Sequence, residues 1–200
     1  MKYSKLTIRF LMNLVLFFSA TVYAHSDTAS LQGGFSSGFM HPLSGLDHVV
    51  AMVAVGLWGA FLGSPAIWLL PVTFPLVMAF GGALGVVGVP VPFVELGIAL
   101  SDIVLGIVVL FAFRPPMWIA AVIVGFFAIF HGYAHGVELP NAANPLIYSI
   151  GFVIATGLLH LGGITIGELK RLPSGEIIVR GGGAVISIVG LLFLSHLISA

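Results

Sequence analysis

Apolar positions in this chain fall in long unbroken runs, and the polar positions collect in the short breaks between them. Past residue 40 six such runs follow one another, at 43–62, 66–88, 93–113, 117–137, 145–167 and 177–198. Each is close to the roughly 20 residues a helix needs to cross a bilayer's hydrocarbon. The breaks carry proline or charge: Ser64-Pro65, Pro90-Val91-Pro92, Arg114-Pro115-Pro116, Pro140 to Pro145, and Lys170 to Arg180. An all-α integral membrane protein of about six transmembrane helices is predicted, with loops too short for soluble modules. Ahead of the runs, Lys2, Lys5 and Arg9 precede a short apolar stretch from Phe10 to Phe18, and Val22-Tyr23-Ala24 ends in a small residue. These are the three parts of a cleavable signal peptide. The expected organisation is a signal peptide at 1–24, a short extracytoplasmic segment at 25–40 and a six-helix transmembrane domain at 41–200.

Composition narrows the chemistry. Hydrophobic residues make up 59% of the chain and charged residues 7%, so membrane lipid is its surroundings. With no cysteine, disulfides, thiolate metal sites and iron–sulfur clusters are excluded, and any metal must be held by nitrogen and oxygen. The net charge of zero, with no basic run, argues against a nucleic-acid partner. No Walker-type motif is present, so the chain itself has no means of using ATP. The 26 glycines, among them Gly81, Gly82, Gly85, Gly88, Gly162, Gly163 and Gly181 to Gly183, suit close helix packing.

Orientation follows from charge. After the signal the only basic side chains besides histidine are Arg114, Lys170, Arg171 and Arg180. They fall in two breaks on one side of a six-span chain, and the positive-inside rule makes that side cytoplasmic. A bacterial cytoplasmic (inner) membrane protein with both mature termini extracytoplasmic is expected, in agreement with the signal peptide.

The ionisable residues then acquire a depth. His41, Asp47 and His48, in HPLSGLDH, lie at the outer end of the first run, and His131, His135 and Glu138, in FHGYAHGVE, at the outer end of the fourth. Glu95 opens the third run, again at the outer level. Ionisable groups in a membrane are expensive and mark substrate or ion pathways, and imidazole with carboxylate suits first-row transition metals. His131 and His135, four apart, share one helix face that Glu138 continues. His41 and His48, seven apart, share a face if their helix is continuous, with Pro42 accommodated in a first turn. Asp47 is either a ligand or a carboxylate that fixes an imidazole tautomer. Each has a plainer explanation taken alone: an interfacial histidine, or for Glu95 an acidic helix start. The set at one level is harder to explain so.

Three further residues are candidates for metal. His25 becomes the first mature residue if the signal is cleaved, offering an amine and an imidazole. Asp102 lies deeper on the face of Glu95, and His160 deeper still in the fifth run. Either continues a pathway or makes an interhelical hydrogen bond. His196 reads as interfacial.

At these residues the chain resembles the HupE/UreJ family of nickel/cobalt permeases, through HPLSGLDHVVAMVAVGLWGA (41–60), VELGIALSD (94–102), FHGYAHGVELP (130–140) and YSIGFVIATGLLHLGG (148–163). The resemblance implies a polytopic carrier of Ni²⁺ or Co²⁺, with urease or hydrogenase maturation as the downstream user. Its metal-interacting positions would be His41, Asp47, His48, Glu95, His131, His135 and Glu138. HPLSGLDH is similar to, but one residue longer than, the H-x4-D-H motif of larger nickel/cobalt transporters, so that geometry does not carry over.

The expectation is a permease, not an enzyme, with no prosthetic group and the metal ion as substrate. A homo-oligomer is left open, and so are Cu²⁺ and Zn²⁺ as ions. Since imidazoles bind metal only when neutral, uptake should fall below about pH 6.5. The competing readings are an intramembrane metal-dependent hydrolase, a haem carrier and a metal sensor or storage protein. For the hydrolase, HGYAH has the zincin spacing, but Gly132 stands where H-E-x-x-H has its glutamate.

Overall fold

The computed structural model describes residues 34–139 and 144–199. The predicted signal peptide and His25 lie outside them. Every regular element among the described residues is helical: α1 (Phe35–Ser44), α2 (Leu46–Leu62), α3 (Ala66–Val86), α4 (Val94–Leu110), α5 (Met117–Val137), α6 (Pro145–Gly167), a 3₁₀ turn (Glu168–Arg171) and α7 (Gly175–Ser199).

The six apolar runs are all helices, but the first has a different shape from the one expected. A helix already begins at Phe35, inside the stretch assigned to an extracytoplasmic segment, and it stops at Ser44. Gly45 is extended (φ −100°, ψ 119°), and α1 and α2 meet there at an 85° bend. The continuous helix that would align His41 with His48 is therefore absent. Pro42 sits in the last turn of α1, not the first, where it cannot donate to the Gly38 carbonyl four residues before it.

Among the described residues four helices, α3, α5, α6 with the 3₁₀ turn, and α7, are long and apolar enough to cross a membrane, and the bent α1–α2 pair would make a fifth. The remaining run, α4, is 17 residues long, at the short end of what spans hydrocarbon. Trp68, Leu76, Phe80, Val122, Ile154, Ile188 and Leu191 are exposed on the outer faces, as side chains facing lipid are. The protein is a multi-pass membrane protein.

The core forms around α2, whose residues Ala51, Met52 and Ala54 to Phe61 are buried. The most extensive helix pairs are α3 with α5, α4 with α7, and α2 with α6. Glycine makes each of them: a Cβ on Gly132 would overlap the Met78 carbonyl, one on Gly163 the Val53 carbonyl, and one on Gly183 the Gly106 carbonyl. Small residues are what allow such backbone contact where lipid provides no hydrophobic drive.

The basic side chains gather at one end of the bundle. Lys170 donates to the Ala60 carbonyl at the end of α2, and Arg180 Nε donates to the Leu110 carbonyl at the end of α4, 2.7 Å away. Cations there satisfy carbonyls that a helix C-terminus leaves free. His48, in the first turn of α2, is at the other end of the same helix, about 18 Å from Ala60 at 1.5 Å per residue.

Candidate metal centre

Two local features deliver four imidazoles to one place. The 85° bend turns His41, in the last turn of α1, back toward His48 in the first turn of α2. The last two turns of α5 carry His131 and His135 on one face, and Glu138 follows as its C-cap. The rings form a chain: His41 to His135 4.8 Å between centroids, His135 to His48 4.3 Å, His48 to His131 4.7 Å. On a straight helix His41 and His48 would be about 10.5 Å apart along the axis. Both could not then touch the ring of His135.

The chain has a more exposed and a more buried half. His41 Nε2 is 3.1 Å from Glu138 Oε2, and ligand atoms of His41, His135 and Glu138 lie within 4.8 Å of one another. His131 is fully buried, and His48 and His135 nearly so. His48 Nε2, His131 Nδ1 and both nitrogens of His135 have no hydrogen-bond partner among the described residues. Buried polar atoms are normally paired; four unpaired imidazole nitrogens in contacting rings are a donor set for a cation.

Asp47 orients this set. Its Oδ1 accepts from His48 Nδ1 at 2.9 Å and from the His48 backbone N–H at 2.8 Å. That pairing commits His48 to the tautomer that leaves Nε2 free, the usual carboxylate–histidine arrangement behind a metal ligand. Gly45 makes room for it, since a Cβ there would lie 2.7 Å from Asp47 Oδ1 and 3.2 Å from His48 Nδ1.

The other candidates stand apart from the rings. Glu95 is exposed and borders, with Asp47 and His196, a separate cavity of about 300 Å³. His160 is buried in α6, and the ring of Phe74 contacts both it, 5.6 Å between centroids, and His131, at 5.5 Å. Asp102 is fully buried in α4, with neither oxygen hydrogen-bonded among the described residues.

Several residues that sequence reasoning passed over shape the site. Phe152 packs edge-on against His135, 4.5 Å between centroids, and Tyr148 lies 5.9 Å from His41. Ser101 Oγ is 2.8 Å from His131 Nε2. A lone serine in an apolar helical run was its visible signal. Beside His135 a largely apolar groove of about 360 Å³ opens between α3, α5 and α6.

Gly132 is pressed on the Met78 carbonyl, so the position that a zincin gives to its glutamate has no room for a side chain.

Fold and site together define a multi-pass helical membrane protein with a buried imidazole–carboxylate cluster at one end of its bundle. The chain belongs to the HupE / UreJ protein family, whose signature matches residues 13–193. Protein HupE of Rhizobium leguminosarum bv. viciae is 42% identical to it over 194 residues, 97% of this chain and 99% of the relative. No solved structure matches it.

Proposed function

We propose that the protein is a permease that imports a divalent transition metal ion, Ni²⁺ or Co²⁺, across the bacterial inner membrane, with six spans and the histidine cluster at the extracytoplasmic face. The chain of four contacting imidazoles carries this reading. Its more exposed end, His41 and Glu138 beside His135, would take the ion from water. His135, in contact with both His41 and His48, would pass it to the buried pair His48 and His131 by ligand exchange. No donor has to release the ion before the next is in reach. Asp47 orients His48 rather than binding the ion. Phe74, in contact with both His131 and His160, would border any onward step from one to the other. The basic residues at the opposite end of α2 support a cytoplasmic assignment for that end. Family membership supports delivery to hydrogenase or urease maturation.

Uptake of Ni²⁺ and Co²⁺ by cells and by proteoliposomes tests the proposal, with His48→Ala and His131→Ala as variants. Loss of flux and of binding in both is expected. Unchanged uptake and binding in either variant would overturn the proposal. Binding without flux into wild-type proteoliposomes would favour a sensor or storage role.

A further inference from the structure

The two buried histidines are held from behind by different kinds of residue. Asp47 holds His48 through Nδ1, but the residue behind His131 is a serine on a different helix. Ser101 Oγ lies 2.7 Å from the Ile98 carbonyl and 2.8 Å from His131 Nε2, and Ser101 and His131 are both 0% exposed. A hydroxyl has one hydrogen to give. The Ile98 carbonyl can only accept, so at that distance the serine hydrogen must point to it; two lone pairs facing each other would repel. This back-bond to the preceding turn is a common one for serine in a helix. The contact with His131 must then run the other way, with Nε2–H donating to Oγ.

We propose that Ser101 is a positioning residue that holds His131 in its Nε2–H tautomer, so that Nδ1 is the atom His131 offers to the ion. The inference rests on the metal-transport reading for its consequence, not for its geometry. Nδ1 is buried with no hydrogen-bond partner among the described residues, and the ring stands edge-on to His48, the planes 84° apart. In the opposite tautomer the lone pair would be spent on Ser101 and an N–H would face the other imidazoles, blocking coordination. The two buried histidines therefore present different nitrogens, His48 Nε2 and His131 Nδ1. Each is set by a hydrogen bond at the opposite ring nitrogen, as in other metal sites where the outer partner fixes the tautomer.

The test is histidine ¹⁵N and ¹³C NMR of the metal-free protein in lipid nanodiscs, with His131→Gln used to assign the His131 signals. Ni²⁺ titrations of wild type, Ser101→Ala and Ser101→Thr accompany it. Expected are an Nε2–H His131 in wild type and a mixture of tautomers in Ser101→Ala. Ni²⁺ affinity should fall about 10- to 100-fold in that variant, the range for outer-shell partners of metal ligands. Ser101→Thr, which keeps the hydroxyl, should restore the Nε2–H tautomer. A wild-type His131 carrying its proton on Nδ1 overturns the proposal, whatever the variants do. So does a Ser101→Ala protein with unchanged tautomer and affinity. An Nε2–H His131 in wild-type protein that binds neither Ni²⁺ nor Co²⁺ upholds the hydrogen-bond assignment and overturns the transport reading instead.

Discussion

Replacing Asp47 separates an orienting carboxylate from a metal ligand. In Asp47→Asn the amide oxygen can still accept from His48 Nδ1 and from the His48 backbone N–H, the two bonds now 2.9 and 2.8 Å long. What is lost is the charge on the acceptor. Hydrogen bonds to charged groups contribute about 1.5–3 kcal/mol against about 0.5–1.5 for neutral ones. The bond to the ring is the one that matters for metal, so a loss of about 1–1.5 kcal/mol in Ni²⁺ binding is expected, roughly 5- to 12-fold in Kd. Asp47→Ala removes both bonds and frees the His48 ring, and should weaken binding by about 10- to 100-fold. Calorimetric titration of nanodisc-embedded protein with Ni²⁺, at fixed pH and salt, reads both. A loss on the order of 1,000-fold in Asp47→Asn, about 4 kcal/mol, would refute the reasoning, because it would mean that Asp47 binds the ion itself. Wild-type affinity in Asp47→Ala would refute it from the other side.

Further outcomes follow from the same geometry. Gly45→Ala should leave the fold intact but push the Asp47 carboxylate, 2.7 Å from the new Cβ, off His48; Ni²⁺ affinity then falls as in Asp47→Ala, and wild-type affinity would contradict this. Gly132→Ala should destabilise the protein by about 1–3 kcal/mol through overpacking of the α3–α5 seam, visible as a lower Tm in detergent, and an unchanged Tm would contradict it. Glu95→Gln should leave Ni²⁺ affinity unchanged in titration, because Glu95 borders a separate cavity with Asp47 and touches none of the four rings, whereas Glu138→Gln should weaken it by removing the negative charge beside His41.

Much of the architecture was legible without coordinates because it is local. Apolar runs bounded by proline and charge mark where helices start and stop, and α5 and α6 begin and end where the runs do. The i, i+4 pair His131 and His135 needed only the helix period. The gathering of the two histidine clusters at one end of the bundle followed from counting helices between them and the basic residues. The break at Gly45 is the main departure: Pro42 suits a helix's first turn but lies in the last turn of α1, and a single glycine does not announce an 85° turn.

The sequence by itself determined where the helices from α3 onward lie, that nitrogen and oxygen must do any metal binding, and which end of the bundle holds the two histidine clusters. Tertiary structure alone decided which of those groups meet. His41 touches His135 because of the bend; Glu95 lines the cavity it shares with Asp47 and His196 instead; and Ser101 reaches His131 because α4 packs against α5. Contacts between helices depend on how the helices rotate and approach. Here that is set by glycine seams such as Gly132 on Met78 and Gly163 on Val53, which bring backbones together at positions no single-helix pattern reveals.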